Sequence, residues 1–299
     1  MSGPVLITGG AGSVGRILVS RLRQDGRPVR VFDLPSMNYT GLEGLAGVEV
    51  IKGDITRADV VHQAVKGVGA VIHLAALLPP ASERDRAKTF AVNVDGTTHL
   101  IRALEQLAPD ALLVFSSSIS TYGDTTQEPP PVQVSHAQRA IDAYAESKIV
   151  GEQALRDSQA SWVILRIAGI AVPAFQEPPA VWPFMPDQRV ELVHRDDVVS
   201  AIYRATTASG VRGKTFNVAG GPTWQMTGRH YVERLYDLLG VPPEEATFRE
   251  TPGWVDWYDT RESQQLLTYQ NTPYGTFLAQ VKAEIDRLMG DAEALEDEC

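Results

Sequence analysis

The stretch Val5-Leu6-Ile7-Thr8-Gly9-Gly10-Ala11-Gly12-Ser13-Val14-Gly15 decides the fold. An apolar, β-branched run ends at Thr8, a glycine-rich turn follows, and residues 15–24 carry the spacing of an amphipathic helix. A strand that turns this tightly into a helix presents the amides at the helix start, here around Ser13 and Val14, to a pyrophosphate. Gly9 and Gly12 permit the tight turn and a close approach, and Gly15 lets the helix lie against the strand.

Outward from this turn, short apolar runs alternate with helix-length segments: 4–8, 15–24, 29–32, 48–52, 57–65 and 70–74. The alternation continues with a helix over 95–107, a strand over 112–116, a helix over 144–156 and a strand over 162–166. This is the pattern of βαβ units on a parallel sheet, so the fold class is α/β, a doubly wound Rossmann fold. Asp33 closes the second strand, where a carboxylate accepts hydrogen bonds from adenosine ribose hydroxyls and repels the extra phosphate of NADP.

Five prolines between 172 and 186 break the rhythm and exclude helix or central strand there, which points to a substrate-side loop. A helix over 196–206 and a strand over 214–218 restore the pattern, and the remainder to 289 reads as a small helical appendage. The expected division is a dinucleotide-binding domain from 1–169 plus 194–219, a smaller substrate-binding part from 170–193 plus 220–289, and a frayed acidic tail over 290–299.

Of 299 residues, 43% are hydrophobic and 21% charged, the balance of an ordinary globular protein. The formal net charge of −10, with no local basic cluster, argues against nucleic acid and against anionic membranes as partners. The longest apolar stretch, 70–81, contains His73 and two prolines and is too short to span a bilayer. The amino terminus lacks the basic region and cleavage site of a secretory signal, and the single cysteine, Cys299, offers neither an internal disulfide nor a cysteine-based metal site. A cytoplasmic protein without a metal centre is expected.

Tyr144 and Lys148 stand at i and i+4 of a helix, so phenol and ammonium share one face. A phenol acting as a base near neutrality needs its pKa lowered by roughly three units, and a neighbouring cation and an oxidised nicotinamide ring both work in that direction. The strand over 112–116 runs into Ser116, Ser117 and Ser118 at its carboxyl end, where open α/β sheets bind their ligands and a hydroxyl can orient a substrate oxygen.

Taken in order, the Thr8 to Gly15 loop, Asp33, Gly53-Asp54-Ile55, His73-Leu74-Ala75-Ala76, Asn93, the serine run with Tyr122-Gly123, Tyr144 to Lys148, Val193-His194-Arg195-Asp196-Asp197 and Phe216-Asn217-Val218 cover nearly the whole chain. With these motifs the chain resembles the extended short-chain dehydrogenase/reductase family, also called NAD-dependent epimerase/dehydratases. The resemblance implies NAD as cofactor, with Asp54 and Ile55 beside the adenine, Leu74, Ala75 and Ala76 along the cofactor, Asn93 near the central strands, and Ser116 and Ser117 lining the cofactor side. It makes Ser118 the catalytic hydroxyl and Tyr144 the acid/base, and has Lys148 also bind the nicotinamide ribose.

By the same resemblance His194 and Asp197 join the two domains as structural contacts. Ile119 and Ser120 stand where members with sugar 4,6-dehydratase chemistry carry acidic residues, so that reaction is not expected. Trp182, Trp224, Trp254 and Trp257 either wall a pocket or belong to the core, and Arg166 reads as a strand-end residue.

The expected activity is hydride transfer between NAD and a secondary alcohol or ketone of a small, sugar-like or hydroxy-acid substrate. An NAD-dependent nucleotide-sugar epimerase and a non-catalytic dinucleotide-sensing protein are the alternatives. The short segment 167–192 has Arg189 as its sole cation against Glu177, Asp187 and Glu191, a poor setting for a diphosphate. A homodimer is expected through the helices near 95–107 and 144–156.

Overall fold

The computed structural model describes residues 3–297, with side chains through residue 289. Strand β1 (Val5–Thr8) turns into α1 (Ser13–Gln24), and β2 (Val29–Asp33), β3 (Val48–Lys52), α2 (Ala58–Val65) and β4 (Ala70–His73) follow. The short helices α3 (Ala81–Arg84) and α4 (Arg86–Phe90) and a π-helical turn (Ala91–Asp95) lead through α5 (Gly96–Leu107) to β5 (Leu112–Ser118). Next come α6 (Ala143–Arg156), β6 (Ser161–Ile167), the two-residue strands β7 (Ile170–Ala171), β8 (Arg189–Val190) and β9 (Val193–His194), α7 (Arg195–Ala205) and β10 (Lys214–Val218). The chain closes with β11 (Met226–Thr227), α8 (Gly228–Leu239), α9 (Arg261–Leu267) and α10 (Tyr274–Asp297).

Seven strands form one parallel sheet in the order β10-β6-β5-β4-β1-β2-β3. Chain order reverses at β1, between β2 and β4, which opens a crevice at the carboxyl ends of the central strands. The period-two alternation of each strand feeds two cores. Val5, Ile7, Val31 and Val114 pack under α1 and α7 on one face, while Leu6, Val71, Leu113 and Phe115 pack under α2 and α5 on the other. A third cluster, with Phe184, Trp224, Tyr231, Tyr236, Tyr274 and Phe277, gathers β8, α8 and α10 around aromatic contacts such as Trp224 on Tyr274 at 5.1 Å between ring centres.

Two boundaries differ from the sequence expectation. β5 runs past residue 116 because Ser116, Ser117 and Ser118 stay in register with Leu165, Arg166 and Ile167 of β6. The helix over the acidic end continues to Asp297, since the run of alanine, glutamate and leucine favours helix over a frayed tail; Glu298 and Cys299 lie outside the described residues. Residues 172–186 form neither helix nor a strand of the sheet.

Candidate active site

The glycine turn is built by exclusion of side chains. A Cβ on Gly9, at φ +71°, would stand 2.8 Å from the Ala75 nitrogen, and one on Gly15 would stand 2.6 Å from the Gly9 carbonyl oxygen. Gly12 caps α1 without a side-chain hydrogen bond, and the first turn holds no acidic residue, so the positive end of the helix faces the turn uncompensated. Asp33 is fixed beside this cradle: its carboxylate accepts from the amides of Ala11 (3.0 Å) and Leu34 (2.8 Å). The neighbouring Arg16 spends its guanidinium on the carbonyls of Ala11, Asn38 and Thr40.

Across the carboxyl ends of the strands lies a cleft of about 490 Å³. It brings together Gly9, Gly12, Ser13, Val14, Gly15, Leu74, Ser116, Ser117, Ser118 and Tyr144 of the expected site, and adds Leu78, Pro79, Ile167, Ile170, Val198, Ile202 and Trp254. Asp33, Asp54, Ile55, Ala75, Ala76, Asn93 and Lys148 lie outside its wall. Asp54 is engaged locally, accepting from the amide and hydroxyl of Thr56 at 2.9 Å, and Ile55 is buried. The amide of Ala75 donates to the Thr8 hydroxyl at 3.2 Å, and Ala76 is half-buried beside it.

The Tyr144 phenol is half-buried and lines the cleft together with Ser118, whose hydroxyl accepts from the Ser120 amide at 3.1 Å. Burial pushes the phenol above its ordinary value of 10, with the Ser118 hydroxyl opposing and the Asp142 charge adding to the rise. The protein's own groups thus hold the phenol in its neutral form. The Lys148 ammonium donates to the Ser116 carbonyl at 2.8 Å and sits 5.6 Å from the centre of the Tyr144 ring. Burial brings Lys148 itself down to about 8, while Glu152 holds it up.

A directional chain of hydrogen bonds ties the glycine turn to the Tyr144 helix. The Thr97 hydroxyl donates to the Asn93 carbonyl at 2.6 Å, so toward His73 Nε2, 2.9 Å away, it accepts. His73 Nδ1 then accepts from the Thr8 hydroxyl at 2.7 Å. Burial, with the Lys148 charge, pushes His73 down to about 3, which keeps it neutral and in this one tautomer. Asn93, on the π-helical turn, continues the chain by donating to the Ser147 hydroxyl at 2.9 Å, and Ser147 donates to the Tyr144 carbonyl at 2.7 Å. Asn93 also brackets Leu77, accepting from its amide at 2.7 Å and donating to its carbonyl at 3.1 Å.

Three groups escaped the sequence reading. Glu152 is fully buried and accepts from Ser117 (2.6 Å), Arg156 (2.8 Å) and both ends of the Arg166 fork (2.9 and 2.7 Å). Burial works to raise this carboxyl, but the hydrogen bond and charge of Arg166, with Ser117 and Arg156, hold it below the ordinary carboxylate range. Arg166 is thus no strand-end ornament: it also donates to the Tyr122 hydroxyl at 2.8 Å. The spacing of Lys148 and Glu152, one turn apart on α6, was the available signal. Glu83 accepts from the amides of Ala143 (2.9 Å) and Tyr144 (3.1 Å), closing the start of α6. Arg189 pairs with Asp256 at 2.5 Å and donates to the carbonyls of Thr125, Thr126 and Glu128.

His194 and Asp197 serve as contacts between elements. His194 caps α7 and meets Gln280 at 2.9 Å, and Asp197 accepts from Thr272 at 3.0 and 3.1 Å. Of the tryptophans, Trp254 lines the cleft and Trp224 is buried in the aromatic cluster. No group of three or more His, Cys, Asp or Glu among the described residues could hold a metal ion, and no helix among them is long and apolar enough to cross a membrane.

A glycine cradle at the switch point of a doubly wound parallel sheet defines an α/β protein of the Rossmann class. The chain belongs to the NAD dependent epimerase/dehydratase family, whose profile matches residues 5–178. It is 36% identical over 181 residues to the D-erythronate dehydrogenase of Cupriavidus necator, covering 56% of this chain and 55% of that protein. It is 38% identical over 157 residues to the 3 beta-hydroxysteroid dehydrogenase/Delta 5→4-isomerase of Mycobacterium tuberculosis, covering 50% of this chain and 41% of that one. The chain thus spans about half the length of the curated relatives it matches. Among solved structures, a short-chain dehydrogenase/reductase superfamily protein from Agrobacterium tumefaciens with bound NAD superimposes at a TM-score of 0.80, with 23% identity over 97% of this chain and 99% of that one. The UDP-glucose 4-epimerase of Thermotoga maritima superimposes at 0.79, with 20% identity over 96% and 99%. At these identities the superpositions speak for the fold alone.

Proposed function

We propose that this chain is an NAD-dependent oxidoreductase acting on a secondary alcohol or ketone, with Tyr144 as acid/base, Ser118 as the hydroxyl that holds the reacting oxygen, and Lys148 as the supporting cation. The observation that carries the reading is that Tyr144 and Ser118 share the wall of the same cleft that Gly9, Gly12 and Gly15 line. The cradle fits a dinucleotide, since at Gly9, Gly12 and Gly15 a Cβ would crowd the turn's own backbone, and the start of α1 carries neither a side-chain cap nor an acidic residue to compete with a pyrophosphate for its amides.

Bound NAD would supply the hydride acceptor or donor at the reacting carbon. The chain's own residues handle the proton. Tyr144, held neutral by burial, donates its phenolic proton to a carbonyl oxygen during reduction and takes it back during oxidation, while Ser118 orients that oxygen. Lys148, anchored on the Ser116 carbonyl, stabilises the phenolate left behind. The cofactor residues in this reading are Gly9, Gly12, Ser13, Val14, Gly15, Asp33, Asp54, Ile55, Leu74, Ala75, Ala76, Asn93, Ser116, Ser117, Tyr144 and Lys148. With Asp33 fixed at the cradle and Arg16 spent on carbonyls, NAD is preferred over NADP.

The segments 170–193 and 220–289 would form the substrate-binding part, a homodimer would form through α5 and α6, on which Val150 is exposed, and the protein would work in the cytoplasm. Nucleotide-sugar epimerisation is disfavoured because Arg189 has its charge taken by Asp256. The test is a spectrophotometric screen of ketones and secondary alcohols with NADH or NAD. Net cofactor turnover, lost in Tyr144→Phe with NAD binding retained, is the expected result; turnover unaffected by that substitution would refute the assignment.

A further inference from the structure

We infer that the substrate is a neutral, largely apolar ketone or secondary alcohol, in place of the sugar-like or hydroxy-acid substrate expected from the sequence. This rests on the hydride-transfer reading and narrows it. Among the described residues that line the cleft, Tyr144 is the sole ionisable one, and the wall away from the glycine turn is Leu78, Pro79, Ile167, Ile170 and Trp254. Of the polar side chains around the proton-transfer pair, Ser117 is spent on Glu152 and Ser116 belongs to the cofactor side in the proposed reading, so a polyol would find Ser118 and Tyr144, enough for one oxygen.

The nearby cations are engaged elsewhere. Arg166 is bound by Glu152, Arg189 by Asp256, Arg139 by Glu128, and Lys148 by the Ser116 carbonyl. A carboxylate or diphosphate would lose its water without gaining a counter-charge. The mouth of the cleft continues the apolar character. Leu78 and Ile170 in its wall are 55% and 40% exposed, and Phe175 and Val181, on the proline-stiffened segment that leaves Ile170, are 46% and 49% exposed. Large apolar side chains scattered singly over a surface need no explanation, whereas a wall and an adjoining segment that expose four of them offer an apolar molecule a place to be covered.

The test separates binding from turnover. Methyl ketones from 2-butanone to 2-decanone, a four-carbon sugar acid and UDP-glucose are titrated into the full chain loaded with NAD, and the same compounds are assayed with NADH. Affinity for the ketones should rise about three- to fourfold per added methylene until the cleft is filled, with the sugar acid and UDP-glucose at least about tenfold weaker than the longest ketone. Ile170→Lys, at a site exposed enough to leave the fold intact, should weaken the long ketones and strengthen the sugar acid. A flat ketone series, or tighter binding of the acid or of UDP-glucose by the unmodified chain, overturns the inference. Ketones that bind as expected and are not reduced uphold the substrate class and overturn the hydride-transfer reading instead.

Discussion

The two sides of the cleft are held in different ways. On the glycine-turn side polar groups bond one another: Thr8, His73, Thr97, Asn93 and Ser147 form one directed chain, and Glu152 and Arg166 fork into each other. On the side of Ile170 and Trp254 the wall is apolar and rests on aromatic packing, with Trp182 stacked on Phe184 at 5.8 Å and Trp224 tilted against Phe277 at 5.2 Å between ring centres. A network of satisfied polar bonds fixes geometry to tenths of an ångström and tolerates no missing member, while apolar packing holds shape and tolerates exchange. The first side suits proton and cofactor chemistry, the second suits selection among substrates.

The largest effect should come from the rigid side. Tyr144→Phe deletes one oxygen and should lower turnover by about 10²–10⁴-fold with NAD affinity retained, as read by steady-state kinetics and calorimetry. Arg166→Met leaves the buried Glu152 charge without its fork and should cost about 3–5 kcal/mol in urea unfolding. Thr97→Val strands the His73 Nε2 proton and should cost about 1–3 kcal/mol by the same measurement. If either variant unfolds like the parent, the polar side is not the rigid element described.

Smaller effects sharpen the contrast. NAD should bind at least about tenfold more tightly than NADP, a difference of about 1.4 kcal/mol that Asp33→Asn should narrow. The pH profile of carbonyl reduction follows Lys148. Burial has depressed its pKa to about 8, so the ammonium is intact below that value and lost as pH rises through it, while Tyr144 stays neutral throughout. Reduction should therefore fall above about pH 8, and Lys148→Met should erase that inflection along with much of the rate. At the other extreme, Phe175→Ser on the exposed segment should leave stability within about 0.5 kcal/mol and raise KM for apolar substrates.

The same contrast explains what the sequence revealed. The glycine turn, Asp33 and the strands of the sheet were legible because each is a local pattern: a period of two, a tight turn, a carboxylate at a strand end. Tyr144 and Lys148 were legible through their one-turn spacing. The Glu152–Arg166 fork joins residues 14 apart on a helix and a strand, and the Arg189–Asp256 pair joins residues 67 apart, so neither has a local signature. The surroundings that set the Tyr144 phenol were not legible for a related reason. The position of Lys148 relative to the ring, and its bond to Ser116, depend on how α6 lies against β5. The apolar wall was hidden because Leu78, Ile170 and Trp254 come from three separate segments that meet in the folded chain.

The central claim is direct hydride transfer to a neutral ketone with Tyr144 supplying the proton, and isotope tracing tests it most directly. NADH carrying deuterium at both C4 positions of its nicotinamide ring is mixed with a medium-chain methyl ketone and the full chain, and the product is examined by mass spectrometry. The account predicts an alcohol carrying one deuterium at the carbinol carbon, formed in step with NADH loss, and formed about 10²–10⁴-fold more slowly by Tyr144→Phe. Tightly retained cofactor with interconversion of nucleotide sugars and no net loss of NADH would contradict it.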